Sequence, residues 1–327
     1  MKKPLICIGG PTACGKTAMS ILLAKEIGGE IISADSMQIY RYMDIGTAKV
    51  TKEEACGIPH YLIDELMPDE EYNVMIFQKK TKAYMEDIWS RGKIPIIVGG
   101  TGFYLNALIY DNDFTETEGD DSFRQKCYRL AEEEGAEVLY QKLLEVDAPY
   151  AATTHARNVK RVTRALEYHY LTGERFSDHN AKQKKKESPY NTVVILLTME
   201  RQKLYARIEQ RVEHMMEAGL LEEVKGLLER GYDSSLVSMQ GLGYKEFLPY
   251  FAGEIPLEEA VENLKTGTRR FAKRQMTWFR RQTEGMWINL SEKTQKEAFM
   301  ESLDYIKKRG ILFPDSQKEK GRKEQEK

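Results

Sequence analysis

Little in this chain points to a membrane, a disulfide scaffold or a strong electrostatic field. Four cysteines in 327 residues, Cys7, Cys14, Cys56 and Cys127, stand far apart without a C-x-x-C pair. That argues against a zinc ribbon and a secreted disulfide framework, and it fits a reducing compartment. No apolar run approaches the length of a membrane span, and Met1-Lys2-Lys3-Pro4 leads straight into a short apolar segment without a signal-type region. A cytoplasmic protein with no membrane partner is expected. Charge of one sign is also missing: 49 Lys and Arg stand against 51 Asp and Glu, for a net charge of -2. Any surface for nucleic acid must therefore be local. What the chain does have is 41% hydrophobic residues, enough to bury a sizeable core, expected as one large domain plus a smaller one.

The most informative stretch is Gly10-Pro11-Thr12-Ala13-Cys14-Gly15-Lys16-Thr17, which satisfies G-x-x-x-x-G-K-[ST] between an apolar run at 5–8 and a helix-like stretch at 17–27. Glycines let the backbone wrap an anion, successive N–H groups point inward at a helix N-terminus, and Lys16 adds a positive charge. Thr17 is placed to offer a hydroxyl to Mg²⁺. A plain glycine-rich turn would not need the lysine. The motif alone does not separate ATP, other nucleotides or a pyrophosphate as the ligand.

Strand-like and helix-like blocks alternate from 4 to 110, as a parallel α/β sheet demands. Residues 30–36 read as a short strand ending on Asp35. Ligands in such sheets sit outside the carboxyl ends of strands, so Asp35 is expected to face the phosphate loop, although a turn or helix-capping aspartate is the alternative. Residues 59–64 read as another strand, and 72–92 as a helix packed through Met75, Ile76, Ala83, Tyr84 and Ile88. The strand at 94–98 ends in Gly99-Gly100-Thr101-Gly102 where nucleotide hydrolases often carry an acid. This weakens a plain hydrolase reading. The glycines would let a ligand approach the backbone, and the Thr101 hydroxyl becomes a substrate contact or merely a turn residue.

From about residue 111 the strand signals disappear and 122–170 reads as helices, expected as an insertion. Arg157, Lys160, Arg161 and Arg164 recur at spacings of three and four, and a basic run follows at 182–186. These are solvated faces or phosphate-backbone contacts. The core resumes with a buried-type strand at 192–198. A helix is expected over 201–229, with Arg207 and Arg211 one turn apart. Either arginine can fork onto phosphate oxygens, or pair with a glutamate on its own helix. Gln240-Gly241-Leu242-Gly243-Tyr244-Lys245 is a glycine-spaced loop with an aromatic and a cation. On the helix at 257–282, Leu257, Ala260, Val261, Leu264, Phe271, Trp278 and Phe279 share one arc, while Lys265, Arg269, Arg270, Lys273, Arg274, Arg280 and Arg281 share the opposite one. Folding requires the first arc; the second suggests a nucleic-acid face. The stretch from about 316 lacks apolar anchors and is expected to be disordered.

Taken together, the 10–17 loop, Asp35-Ser36-Met37-Gln38-Ile39-Tyr40, residues 43–49, Pro59-His60, Val98-Gly99-Gly100-Thr101-Gly102, Gly243-Tyr244 and Ala272-Lys273-Arg274-Gln275 resemble the tRNA dimethylallyltransferase, or tRNA isopentenyltransferase, family from residue 5 to about 290. The resemblance implies a P-loop NTPase-like α/β fold, with a parallel sheet flanked by helices and an inserted all-helical domain. The implied boundaries are a discontinuous core at 1–112 and 191–290, an insertion at 113–190 and a C-terminal extension at 291–327. It implies transfer of a dimethylallyl group from dimethylallyl diphosphate to N6 of adenosine 37 beside the tRNA anticodon, with Mg²⁺, by a monomer. Gly10 to Thr17 would then hold the diphosphate, Lys16 and Thr17 supplying charge and metal contact. Asp35 would be the general base, Thr101 the orienting hydroxyl and Arg207 a diphosphate ligand, with the part of Arg211 open. Contacts to the anticodon stem-loop would come from Asp35, Ser36, Met37, Gln38, Thr101, Phe123, Lys160, Arg161, Val162, Thr163, Arg164, Gln240, Gly241, Leu242, Gly243, Tyr244, Lys245, Arg269, Lys273 and Arg274. Cys14 stands where the family more often has Ser or Gly, which should matter little where backbone does the binding. No Cys/His finger spacing follows residue 290, so the chain resembles the short bacterial form. The rivals are a P-loop metabolite kinase, a transferase acting on free adenine nucleotide, and an RNA-binding module with an idle phosphate loop.

Overall fold

The computed structural model describes residues 2–114, 121–184 and 186–311. The tail expected to be disordered, Lys185 of the basic run and residues 115–120 at the start of the expected insertion lie outside them. The described chain forms two compact units, Met1–Ile109 with Ser188–Lys327, and Tyr110–Glu187.

The larger unit is built on a six-stranded sheet of β1 (Pro4–Gly9), β2 (Gly29–Ser33), β3 (His60–Tyr61), β4 (Ile94–Gly99), β5 (Asn191–Thr198) and β6 (Met286–Asn289). Its order is β3-β2-β4-β1-β5-β6, and every pairing is parallel. In register, Ile8 lies opposite Val98 on one side and Ile195 on the other. Apolar residues crowd these strands because helices cover both faces. Leu5, Ile6, Ile8, Ile96 and Ile195 are wholly buried, each contributing about 1.5–3 kcal/mol by leaving water.

Helices α1 (Lys16–Ile27), α2 (Lys52–Ala55), α3 (Val74–Ser90) and α4 (Gly102–Ile109) fill the connections of the first half. Gly28, at φ 66°, ends α1 with its N–H on the Ala24 carbonyl, as a left-handed cap does. The Asn73 side chain starts α3 by accepting from Met75 and Ile76 N–H. The buried side of α3 is Val74, Phe77, Gln78, Thr81, Met85 and Ile88. Of the five positions expected to face the sheet, only Ile88 belongs to it; the stripe starts at Val74 and Phe77 and is rotated from the one expected.

The smaller unit holds α5 (Asp121–Glu133), α6 (Ala136–Ala151), α7 (Val159–Thr172) and α8 (Phe176–Lys184) around Leu139, Leu143, Val162 and Ala165. Pro149 interrupts α6 at a kink where Asp147 leaves helical geometry. The buried Asp147 carboxylate accepts from Tyr150 N–H just past the kink at 3.1 Å and from Ser177 N–H in the first turn of α8 at 2.8 Å.

In the second half of the larger unit, the single helix expected over 201–229 is two, α9 (Arg201–Glu217) and α10 (Leu220–Glu229), because the chain turns at Gly219 with φ 96°. A one-turn α11 (Leu248–Phe251) precedes α12 (Leu257–Gln282), and α13 (Gln295–Lys308) opens on a Thr294 capping box. Ala298, Leu303 and Ile306 of α13 join the main core beside Met19 and Leu23 of α1. Residues after 290, set apart on sequence, thus pack into the larger unit up to Ile311.

Candidate active site

The phosphate loop doubles back through three left-handed residues: Gly10 at φ 148°, Ala13 at 62° and Gly15 at 98°. A Cβ on Gly10 would lie 2.5 Å from the Leu197 carbonyl oxygen, so the close passage of the loop over β5 requires glycine. Cys14 is fully buried in the core cluster, which leaves the backbone of its turn for anion binding. Lys16 folds over the loop and donates from Nζ to the Pro11 carbonyl at 2.7 Å. Burial pushes its ammonium pKa down, and Arg211 pushes the same way while Asp35 opposes. Thr17 is exposed at the start of α1.

At the end of β2, Asp35 accepts Met37 N–H on Oδ1 at 2.9 Å. Burial raises its pKa, against the opposing pull of backbone N–H bonds, Lys16 and Arg211. Neither cation forms an ion pair with it. Lys16 is turned to Pro11, and Arg211 Nη1 donates to the Thr12 hydroxyl at 3.3 Å.

Gln275 ties the two strand ends together. Its Oε1 accepts Thr12 N–H at 2.8 Å and its Nε2 donates to the Gly100 carbonyl at 3.0 Å. A Cβ on Gly100 would stand 2.1 Å from that Nε2, and one on Gly99 would stand 2.2 Å from the Ala34 carbonyl oxygen. These glycines make room for protein groups, and both also lie on the wall of the phosphate cavity, where ligand approach to the backbone is expected. Gln275 was missed among the site residues although its segment was singled out. An amide in the middle of the apolar arc of α12 was the available signal. Thr101 begins α4, its carbonyl accepting Tyr104 N–H at 2.9 Å, and its side chain lines neither cavity of the site.

Two cavities meet around Asp35. One, of about 560 Å³, is lined by Thr12, Ala13, Gly15, Lys16, Thr17, Asp35, Gln38, Gly100, Arg207, Arg211 and Gln275. The other, of about 390 Å³, is lined by Asp35, Ser36, Met37, Arg211, Gln240, Gly241, Leu242, Lys245 and Arg274. Thr12, Asp35, Thr47, Ala48, Arg211 and Phe271 border both. Arg207 and Arg211 thus both reach the phosphate chamber, Arg207 exposed and Arg211 half-buried. Burial, with Arg207 adding to it, pushes the Arg211 pKa down.

Among the described residues no group of three or more His, Cys, Asp or Glu is placed to hold a metal ion. Mg²⁺ suits such a site when substrate phosphates supply most of its oxygens, and the Thr17 hydroxyl fits as one protein ligand.

Several residues expected at an RNA surface are placed elsewhere. Tyr244 is fully buried, its hydroxyl donating to Glu223 at 2.8 Å and its ring occupying the space a side chain at Gly46 would need. Gly243, also buried, takes φ 98° against the Gly46 backbone. Glu223 also accepts the N–H groups of Asp44, Ile45 and Gly46, so one carboxylate clasps the loop that carries Thr47 and Ala48. Val162 and Thr163 face the core of the smaller unit, whereas Lys160, Arg161 and Arg164 of α7 are exposed. Phe123 stacks on Tyr170 with ring centres 4.5 Å apart. Gln38 lines the phosphate chamber but its amide is spent, accepting from Ser33 Oγ at 2.8 Å and donating to Thr47 O at 3.2 Å. Arg269 is held by Glu209 at 2.7 Å and Glu262 at 2.8 Å, which removes it from the free cationic face.

Comparison with known proteins bears on this arrangement. Residues 38–282 match the family model described as IPP transferase. A tRNA dimethylallyltransferase of Lachnoclostridium phytofermentans is 53% identical over 287 residues, which is 88% of this chain and 92% of that protein. One from Acetivibrio thermocellus is 51% identical over 301 residues, 92% and 96% of the two chains. Among solved structures, the full-length tRNA isopentenylpyrophosphate transferase of Bacillus halodurans superposes with a TM-score of 0.72 at 42% identity, covering 94% of this chain and 97% of that one. A eukaryotic dimethylallyltransferase acting on tRNA gives 0.82 at 31% identity, covering 97% and 83%.

Proposed function

Because the chain belongs to the IPP transferase family, we propose that it moves a dimethylallyl group from dimethylallyl diphosphate to N6 of adenosine 37 beside a tRNA anticodon, releasing diphosphate. It does so as a cytoplasmic monomer. The observation that carries this reading is the position of Asp35, on the wall of a chamber built for phosphate and of a second chamber reached from Met37, Leu242 and Arg274.

The donor diphosphate lies in the 10–17 loop, with the Lys16 ammonium and the Arg211 guanidinium beside it. Both are held by weak neutral acceptors, Pro11 O and Thr12 Oγ1, which a diphosphate readily replaces. Arg207 closes the exposed side. Thr17 would hold Mg²⁺ there, and the ion, when bound, would supply further charge neutralisation to the leaving group. The adenosine reaches the second chamber by leaving its stack, at a cost of roughly a few kcal/mol. As the N6–C1 bond forms and the C1–O bond to diphosphate breaks, the N6 proton passes to Asp35. Burial makes that carboxylate a stronger base than an exposed one. Thr101, between Gly100 and the start of α4, orients the reacting groups with its hydroxyl. A kinase for a small metabolite, or a transferase using free nucleotide, has no use for the exposed Lys160, Arg161 and Arg164.

The test is an incubation with labelled dimethylallyl diphosphate or labelled ATP, each with and without bulk tRNA. Label is expected in RNA only from the prenyl donor. Transfer from ATP to a small molecule, with RNA unlabelled, would overturn the proposal.

A further inference from the structure

His60 lines neither chamber, yet one of its ring nitrogens is left without a partner. The residue stands on β3 in register with Ile31 of β2, and both border a small cavity of about 30 Å³. Its Nδ1 lies 2.8 Å from the Ile58 carbonyl oxygen. A carbonyl can only accept, so Nδ1 carries the ring proton. Burial pushes the imidazole pKa down against the pull of that bond, which keeps the ring neutral and Nε2 an acceptor. This Nε2 is shut off from solvent and has no hydrogen-bond partner among the described residues. Buried acceptors are costly to leave unpaired, so a donor is called for.

The other polar groups around the cavity are Thr17 and Ser20 of α1, Ser33 of β2 and Gln38. Thr17 and Gln38 also line the phosphate chamber, so the two spaces share a wall. Most of the protons there are already spent. Ser20 Oγ donates to the Thr17 carbonyl at 2.8 Å, Ser33 Oγ to Gln38 Oε1 at 2.8 Å, and Gln38 Nε2 to Thr47 O at 3.2 Å. The Thr17 hydroxyl makes no hydrogen bond among the described residues. If it turns a lone pair to Mg²⁺, its proton must go to an acceptor elsewhere. In phosphate-loop hydrolases an acid shares the metal with this hydroxyl, whereas here β4 ends in Gly99 and Gly100. Among the described residues no carboxylate borders the small cavity. Its volume suffices for one water, which needs about 10–15 Å³ and two to four polar partners.

We propose that His60 is a positioning residue for Thr17, acting through one water that accepts the Thr17 hydroxyl proton and donates to His60 Nε2 and to a serine Oγ. The lone pairs of Thr17 Oγ1 are then left facing the phosphate chamber, where the metal would bind. A neutral acceptor orients the hydroxyl without setting a second negative charge beside the diphosphate, as a carboxylate would. His60 itself touches neither substrate nor the reacting atoms. The inference rests on the reading above that the 10–17 loop holds a diphosphate with Mg²⁺.

The test compares the full-length protein with His60→Leu, His60→Gln, Thr17→Val and the His60→Leu/Thr17→Val pair. Titration calorimetry measures binding of inorganic diphosphate without metal, and then of Mg²⁺ to the diphosphate complex. His60→Leu should weaken Mg²⁺ binding about 10-fold or more, the usual effect of losing an outer-shell partner, with metal-free diphosphate affinity equal to the parent's. His60→Gln, which keeps an acceptor, should recover most of the loss, and His60→Leu should add nothing in the Thr17→Val background. Unchanged Mg²⁺ affinity in His60→Leu overturns the proposal. So does an equal loss of metal-free diphosphate binding, which would make His60 merely a support of the loop. A crystal structure of the parent decides the same point without any variant: a water within about 3 Å of both Nε2 and Thr17 Oγ1 is expected, and its absence from well-ordered density overturns the bridge. A parent that fails to bind diphosphate would defeat the reading of the loop, while the crystal structure would still decide the bridge.

Discussion

The strand β2 has an acid near each end, and the two are treated in opposite ways. Glu30, 1% exposed, accepts from Arg91 at 2.6 and 2.7 Å, from Lys93 at 2.6 Å and from the Tyr61 hydroxyl at 2.8 Å. The Arg91 guanidinium leads in pulling its pKa to about 2, so it stays charged at any physiological pH. Asp35 also has two cations in its neighbourhood, but each is bonded to something else, and burial raises its pKa. A carboxylate surrounded by donors cannot take up a proton, whereas one kept short of partners can. The amino-terminal edge of the sheet is satisfied, and the carboxyl-terminal edge is left with work to do.

The sharpest way to break this contrast is to remove each charge in turn. Asp35→Asn should lower prenyl transfer by about 10²–10⁴ and leave thermal unfolding and tRNA affinity near the parent's, whereas Glu30→Gln should transfer at the parent's rate. Equal turnover in single-turnover assays of both would erase the distinction. The reverse holds for stability: urea unfolding of Glu30→Gln should show a loss of about 1.5–3 kcal/mol, the worth of hydrogen bonds to a charged group. The pH dependence follows from the lowered pKa. Stability from Glu30 is complete above the unfolded value of 4.5 and is lost as pH falls toward about 2. Parent protein should lose that increment on acidification and Glu30→Gln should not.

A smaller effect is expected at Gln275, which joins the working edge together. Gln275→Ala leaves Thr12 N–H and Gly100 C=O without their partner, at about 1–3 kcal/mol, and should lower turnover about tenfold. Gln275→Glu keeps an acceptor for Thr12 and should recover part of it in steady-state kinetics. The mildest test uses acid alone. Because the working form of Asp35 is the carboxylate and its pKa is raised, kcat/KM should fall with decreasing pH before stability does. Activity and stability declining together in a pH series would mean that Asp35 and Glu30 titrate alike.

How much of this was legible in the sequence depended on how local the cause is. The phosphate loop, β1, β4, β5 and α12 are written in contiguous spacing and apolar runs, and the structure places them within a residue or two of the expectation. β6 was not anticipated; it is four residues at the sheet edge with Trp287 turned outward. The Gly241 to Tyr244 segment has the composition of a ligand loop, yet its aromatic goes inward. What decides that is a glycine at 46 and a glutamate at 223, neither close in sequence. Arg207 and Arg211 were one turn apart in either reading; only the position of Thr12 shows which is anchored to the loop. Charge on α12 was countable, but the carboxylates that claim Arg269 come partly from α9.

The bond from Gln275 to Thr12 joins residues 263 positions apart. On the ribosome, at about 5–20 residues per second, the loop emerges roughly 15–50 s before its glutamine is made. A nascent chain therefore carries the phosphate-binding motif without its brace until translation has passed α12. Truncated products ending before that helix should be unable to act on tRNA.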